Sequence, residues 1–99
     1  MNRDEYVATM KKQLDEWNAK LGEMETRIQS AQSSVKSQFV TQMDNLRAQR
    51  DAMMQRMSEI RGSSDAAWAD MSKGVEQAWK ALADSYDRAW ADFKSKNKL

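Results

Sequence analysis

A tryptophan recurs every eleven residues in the C-terminal third of the chain, and this spacing constrains the fold of that segment. Trp68, Trp79 and Trp90 are each preceded by alanine, in the triplets AAW, QAW and RAW. Eleven residues make three helical turns plus about 20°, so the three indoles share one face of an α-helix. The repeat therefore predicts a helix with one apolar stripe, which another helix must cover.

The apolar stripe of this helix is wider than the seam of a coiled coil, as is usual for a helix that faces a protein core. Its residues are Trp68, Met71, Val75, Ala78, Trp79, Leu82, Tyr86, Ala89, Trp90 and Phe93. Gly74 lies at the edge of the stripe, where we expect it to allow close approach of another helix. The preceding sequence RGSSD places Gly62 at the left-handed position that ends many helices, followed by serines suited to an N-cap. We therefore predict this helix from about 64 to 95.

The N-terminal segment has the spacing of a coiled coil. Asn2 is suited to the N-cap of a helix, and apolar residues then follow in steps of three and four, the pattern of a and d positions. This seam contains Val7, Met10, Leu14, Trp17, Leu21, Met24, Ile28, Ala31 and Val35. It continues through Phe39, Met43, Leu46, Met53, Met57 and Ile60, with Arg50 at one core-like position.

Residues 29–38 decide between two all-α architectures. Ser and Gln dominate this stretch, and Ser is a mediocre helix former, so a break here would give a three-helix bundle. Against a break, the stretch contains neither Gly nor Pro, and the apolar spacing continues through it. We therefore favour one continuous helix over 3–61 in a long antiparallel helical hairpin, with the three-helix bundle as the alternative.

The composition agrees with a single helical coiled-coil domain over residues 1–99. The chain has no Pro and three Gly, and strand-forming residues never alternate with period two. A length of 99 residues is that of one domain.

A continuous first helix would leave the segment over about 3–29 uncovered, because the second helix is long enough to cover only about 30–61. Exposure of Leu14, Trp17 and Leu21 along this arm would be an aggregation liability. We therefore expect a homo-oligomer, most simply an antiparallel dimer with two-fold symmetry, that completes a helical bundle. The arm is also where an unknown protein partner would bind.

The nearly equal numbers of basic and acidic residues indicate which partners to expect. Lys and Arg number 16 and Asp and Glu 15, for a net charge of +1. Binding to nucleic acid and to anionic membranes depends on concentrated positive charge, so we expect no nucleic-acid partner and disfavour a membrane. The N-terminal sequence MNRDEYV does not resemble a signal peptide, and we expect a cytoplasmic protein.

The residue types typical of enzyme sites are scarce. His and Cys are absent, so there is no thiol chemistry, and a di-iron site in a helical bundle would lack its Glu-x-x-His pairs. Adjacent carboxylates such as Asp15 and Glu16 fit a solvated helix surface. We expect a protein that is not an enzyme and has no cofactor.

A different class of function is suggested by the methionines. Met53, Met54 and Met57 lie close together, and a hairpin brings Met71 opposite them. Thioethers are soft ligands that favour Cu(I), although methionine more often fills gaps in a core. The alternative function is thus a ligand-binding helical protein, which takes Cu(I) at these methionines or docks on a membrane surface through the Trp-rich second helix.

Two stretches of the chain resemble one protein family. DEYVATMKKQLDEWNAKL and SSDAAWADMSKGVEQAWKALADSYDRAWADF are similar to sequences of small bacterial coiled-coil stress-response proteins, first associated with salt stress in cyanobacteria. The family repeat AW-x-x-(L/M)-x-x-G-(V/A)-x-x-AW-x-x-L is matched by Trp68, Met71, Gly74, Val75, Trp79 and Leu82. Trp90 departs from it, since many members have Ala there. The resemblance implies a small helical protein linked to stress, with no established reaction.

Overall fold

The fold is an elongated bundle of three α-helices. The computed structural model describes residues 2–96, which form α1 (Arg3–Gln29), α2 (Ser33–Arg61) and α3 (Asp65–Lys96). The bundle is 52 Å long and 18 Å across in each other direction. Over residues 2–96 there is no β-strand, so the all-α prediction is confirmed.

Residues 3–61 do not form the one continuous helix favoured from the sequence. The chain turns at residues 30–32, inside the 29–38 break of the alternative three-helix bundle. Gln32, with a ψ of 152°, is extended, and no side chain caps α2. The turn is stable because it folds the apolar stripe of α1 onto the same chain, and tertiary burial outweighs the few backbone hydrogen bonds that a helix break loses.

The remaining helix ends agree with the sequence except at Gly62. The Asn2 side chain accepts a hydrogen bond from the Glu5 amide at 2.8 Å, and Ser64 Oγ accepts one from the Ala67 amide at 3.2 Å. Both residues are therefore the N-caps that the sequence predicts. Gly62 has a φ of −90°, so α2 ends without the left-handed residue that we expected there.

The core consists of two apolar clusters, one toward each end of the bundle. The upper cluster, near the α1–α2 turn, contains the buried residues Leu21, Met24, Ile28, Phe39, Met43, Leu46, Leu82, Ala89 and Phe93. The lower cluster, near the α2–α3 turn, contains Tyr6, Met10, Leu14, Met53, Ile60 and Val75. All three helices contribute to both clusters.

The arm that was expected to lie uncovered is packed inside the bundle. Leu14 and Leu21 are each 3% exposed, and Trp17 packs on the upper cluster. The overhang that motivated a dimer is thus absent from this fold. A dimer of this fold would have to use another surface of the bundle, or exchange α1 between two copies.

Two adjacent residues of α2 give a matched test of this core. Phe39 is 0% exposed, whereas Val40 is 54% exposed. We expect Phe39→Ala to lower the free energy of unfolding by about 3–5 kcal/mol, because it leaves a cavity in the upper cluster. Val40→Ala should change it by less than about 0.5 kcal/mol. Urea unfolding followed by circular dichroism measures both values, and equal losses would contradict the packing described here.

Candidate helix–helix interaction site

Helix α3 presents two different faces to its neighbours. Toward α2 it presents small residues, including Gly74, Ser85 and Ala89. A Cβ atom built on Gly74 would lie 3.3 Å from Nη1 of Arg56, so α2 comes close at this position through the Arg56 side chain. Toward α1 it presents most of its aromatic residues, whereas Phe93 packs edge to face on Phe39 of α2. Helices α1 and α3 stay farther apart than either does from α2.

Aromatic residues fill the space between α1 and α3, and we call this set the aromatic seam. It consists of Tyr6, Trp17, Trp68, Tyr86 and Trp90. The ring centroids of Tyr6 and Trp68 are 5.6 Å apart, and those of Trp17 and Tyr86 are 5.3 Å apart, edge to face. These separations are typical of favourable aromatic pairs. The seam therefore joins α1 to α3 along most of their length.

Tyr6 anchors the lower end of the aromatic seam. Its hydroxyl donates a hydrogen bond to Oε1 of Glu76 at 3.0 Å, and the Ser72 carbonyl oxygen lies 3.4 Å away. Burial, together with the neighbouring Glu76 carboxylate, raises the pKa of Tyr6 well above its usual value. The phenol therefore stays protonated and keeps donating to Glu76 beyond the pH at which a free tyrosine ionises.

Cations cover the indole rings in the upper half of the seam. Arg27 of α1 lies 5.4 Å from the centroid of the Trp90 ring, and Lys94 lies 5.1 Å from it. Lys20 lies 4.9 Å from the Trp17 ring. Each distance is within the range of cation–π attraction. The Arg27 contact crosses from α1 to α3 and so adds to the attachment of α1.

Trp79 connects the two halves of the core. It is half-buried and packs against both the upper and the lower cluster. Its Nε1 is buried and has no hydrogen-bond partner among the residues that the structure describes. An unpaired buried donor is unfavourable, so Trp79 stays in this position through apolar packing on both clusters.

A polar layer separates the two clusters on the α2 side. It consists of Asn18, Gln49, Arg50 and Ser85. Arg50 Nη1 donates to Oδ1 of Asn18 at 3.3 Å, and Gln49 Nε2 donates to Oγ of Ser85 at 3.4 Å. These two hydrogen bonds connect α2 to α1 and to α3 at the same height along the bundle. A polar residue at a core-like position fixes the register of packed helices, and Arg50 has that position here.

Arg47 forms the strongest ion pair between α1 and α2. Its Nη2 lies 2.8 Å from Oε1 of Glu25 on α1, and its Nη1 lies 3.2 Å from Oδ1 of Asp44. The hydrogen bond to Glu25 is the main reason why the pKa of the Arg47 guanidinium is raised further. This pair links α1 to α2 beside the upper cluster.

The interface residues predicted from the sequence divide into two groups by burial. The buried ones are Met10, Leu14, Leu21, Met24, Ile28, Val75, Leu82 and Phe93. The half-buried ones are Val7, Trp17, Trp68, Met71, Trp79, Tyr86 and Trp90. The tryptophans of the repeat are thus not the innermost residues, because an indole is too large to enter the narrow centre of three helices.

Sequence reasoning missed Tyr6 and its partner Glu76. The strict alternation of steps of three and four selected Val7, which is half-buried, whereas Tyr6 is 9% exposed. Tyr6 lies four residues before Met10, which in turn lies four before Leu14. That spacing was the available signal for Tyr6. Glu76 lies on the polar side of α3, and no sequence pattern indicates its bond to α1.

The methionines proposed as Cu(I) ligands are only partly brought together. Met53, Met57 and Met71 belong to the lower cluster or pack against it, and Met10 of α1 joins them there. Met54 is 45% exposed and lies outside that cluster. Within residues 2–96 no three His, Cys, Asp or Glu side chains form a metal-binding group.

An open polar groove lies between α2 and α3, with a volume of about 260 Å³. Its walls carry Gln42, Asn45, Gln49, Ser85, Arg88 and Asp92 above a floor of Leu46 and Ala89. Oε1 of Gln49 is buried there without a hydrogen-bond partner in the described part of the chain. The groove offers amide, hydroxyl and charged groups in one row.

Comparisons of the chain with protein-family models, with curated proteins and with solved structures give no match. The similarity to the stress-response family therefore remains a prediction from the two sequence stretches quoted above. No helix within residues 2–96 is long and apolar enough to cross a membrane. Docking on a membrane surface through the tryptophans of α3 would require α1 to leave the aromatic seam.

The burial of Tyr6, together with its hydrogen bond to Glu76, makes the stability of the fold depend on pH in the alkaline range. The pKa of Tyr6 is higher in the folded chain than the value of about 10 in an unfolded one. Its contribution to stability is therefore complete below about pH 10 and is lost as the pH rises further, since the unfolded state releases the proton first. We expect Tyr6→Phe to lower the free energy of unfolding by about 1 kcal/mol at pH 7 and to weaken its decline above pH 10.

Urea unfolding from pH 7 to pH 11, followed by circular dichroism, measures this difference. Tyr86→Phe is the control: burial raises the pKa of Tyr86 as well, but its hydroxyl donates no hydrogen bond to another residue within 2–96. Tyr86→Phe should therefore cost less stability at pH 7 than Tyr6→Phe does. A decline above pH 10 that is identical in the wild type and in Tyr6→Phe would contradict the assignment.

Proposed function

We propose that the protein is a non-enzymatic structural protein that acts through helix–helix contacts, including contacts with a second copy of itself. The observation that supports this proposal is that the large side chains pack between helices. The aromatic seam and both clusters are contacts between helices. The same surfaces, supplied by a second copy, are complementary to those of the first.

The proposed setting is a bacterial cytoplasm under stress. This part of the proposal rests on the resemblance of the N-terminal stretch and of the tryptophan repeat to the stress-response family. A further protein partner would bind α1, since contacts between helices distant in sequence hold α1 in place. Glu25 and Tyr6 make two of these contacts, with Arg47 and Glu76, and a competing helix must replace them.

Self-association is tested by measuring the solution mass over a wide range of concentration. The chain has a mass of 11.4 kDa, and we expect sedimentation equilibrium to show a shift toward twice this value as concentration rises from the micromolar to the millimolar range. A two-fold dimer is the simplest closed assembly for such a chain. A mass that stays at that of the monomer over the whole range would contradict the proposed self-association.

Binding of Cu(I) is a second candidate function, supported by the grouping of methionines in the lower cluster. Met10, Met53, Met57 and Met71 come from all three helices and meet in one apolar environment beside Trp68. Thioether sulfur favours Cu(I), and the face of an indole can stabilise a cation. Binding would require the packed side chains to rearrange around the ion.

Titration with Cu(I) under reducing conditions tests this second function, with tryptophan fluorescence as the readout. We expect stoichiometric quenching that Met71→Leu weakens at least tenfold in affinity. Met54→Leu is the matched control, since Met54 lies outside the cluster, and it should bind like the wild type. Absence of quenching, or equal effects of the two substitutions, would contradict binding of Cu(I) at the lower cluster.

A further inference from the structure

We propose that the α1–α2 turn is a hinge through which two copies of the chain exchange α1. The docking surface is the face of α2 and α3 that α1 covers, and its occupant in the dimer is α1 of the second copy. This inference rests on the proposed self-association and specifies its route. Exchange of an identical element is a low-cost route to a dimer, and short hinge turns favour it.

The backbone of the turn is already close to a helix. Ser30 has helical dihedral angles, with φ −84° and ψ −6°, and its amide still donates to the Thr26 carbonyl oxygen at 3.1 Å. All described residues have negative φ, so no residue of the turn is in the left-handed region. Gln32 departs from the helix through its ψ of 152°. Rotation about that bond is one change that would let α1 continue into α2.

The sequence of the turn is also compatible with a continuous helix. Residues 29–38 contain neither Gly nor Pro, the two residues that most strongly oppose a helix. Ile28, Ala31, Val35 and Phe39 follow each other in steps of three and four, so one apolar stripe runs through the turn. A straight helix over 3–61 would keep the core faces of α1 and α2 on one side.

Hydrogen bonding at the turn favours the same change. The amides of Ser30 and Ala31 bond to the Thr26 and Ile28 carbonyl oxygens, and the Gln32 carbonyl oxygen accepts from Val35 and Lys36. The other terminal carbonyls of α1 and the first two amides of α2 have no helical partners while the turn exists. Gln32, at the N-cap of α2, makes no side-chain hydrogen bond to replace them. In a continuous helix these carbonyl and amide groups bond to one another.

The other turn of the bundle is built differently. Ser63 Oγ donates to the Ile60 carbonyl oxygen at 2.6 Å, and Ser64 caps α3. Arg3 of α1 also donates to the Ser63 carbonyl oxygen. Side chains thus hold the α2–α3 turn from both sides, and Gly62 further weakens a helix there. Opening is therefore expected at the α1–α2 turn, with α2 and α3 remaining a hairpin.

The exchanged dimer keeps the contacts of the bundle. Since α1 runs antiparallel to α2, two straight helices pair about a two-fold axis near Ala31, and each α1 reaches the α2–α3 hairpin of the other copy. The bonds Tyr6–Glu76, Glu25–Arg47 and Asn18–Arg50 then form between chains. A helix over 3–61 is about 88 Å long, against 52 Å for the single bundle.

Substitutions at Ser33 separate the hinge from other modes of association. Ser33 is exposed and is the first residue of α2, a position that suits proline. The preceding residue Gln32 already has the extended ψ that a following proline requires. Ser33→Pro therefore fits the bundle, but it breaks a continuous helix. Ser33→Ala, at the same position, favours the continuous helix.

The three chains are compared by light scattering after size-exclusion chromatography at millimolar concentration. We expect a dimer for the wild type, at least as much dimer for Ser33→Ala, and at least a tenfold smaller dimer fraction for Ser33→Pro. Equal dimer fractions in all three would overturn the hinge while leaving self-association intact. Monomers in all three, including Ser33→Ala after refolding at high concentration, would overturn both proposals.

A crosslink then tests directly which chain supplies α1. The chain has no Cys, so Glu25→Cys combined with Arg47→Cys gives two thiols across the α1–α2 contact. A short bismaleimide applied to the isolated dimer should yield a band of two chains on a denaturing gel if α1 is exchanged. A band of one chain from the same dimer would show that each α1 stays on its own bundle, and would overturn the proposal. The single variant Glu25→Cys controls for random crosslinking.

Discussion

The structure depends on the burial of the aromatic face of α3 against α1. Each buried Trp or Tyr removes about 150–250 Å² from water, and no other element of the chain can cover Trp68, Tyr86 and Trp90 while α2 occupies the opposite, small-residue face of α3. Because the aromatic rings are large, α1 is held at a distance from α3, and it reaches the core through Met10, Leu14 and Leu21 at the side of α2. Helices α1 and α2 therefore lie at different distances from α3 because the two faces of α3 carry side chains of different size.

Polar contacts decide how this apolar packing is aligned. Apolar stripes alone permit helices to slide by a turn, because one methionine or leucine packs much like another. Arg50 donates to Asn18 at the level where the two clusters meet, and a shift of one turn would break this hydrogen bond between α2 and α1. Glu25 with Arg47, and Tyr6 with Glu76, specify the same register toward the two ends. The bundle thus has one alignment although its core is made of interchangeable side chains.

Features that depend on a single helix are predicted from the sequence, whereas features that depend on the contact between two helices are missed. The stripe of α3, the seam of α1 and the caps at Asn2 and Ser64 follow from spacing and from local hydrogen bonding, and the structure has them. The bond from Tyr6 to Glu76 depends on the relative rotation of α1 and α3, which spacing within either helix does not contain. The break at Gln32 is the clearest case, because nothing in residues 29–38 forbids a helix. The chain turns there because tertiary burial outweighs local preference.

In the proposed exchange of α1, the continuous and the broken helix are two arrangements of one set of contacts. Both bury the aromatic seam and both keep the polar layer, so the difference in free energy between them lies in the turn and in the entropy of association. A turn of three residues holds α1 next to its own hairpin at a high effective concentration, which favours the bundle in dilute solution. Higher protein concentration favours the dimer by mass action. The choice between one chain and two then depends on Ser30, Ala31 and Gln32, although these residues make few of the contacts that stabilise either form.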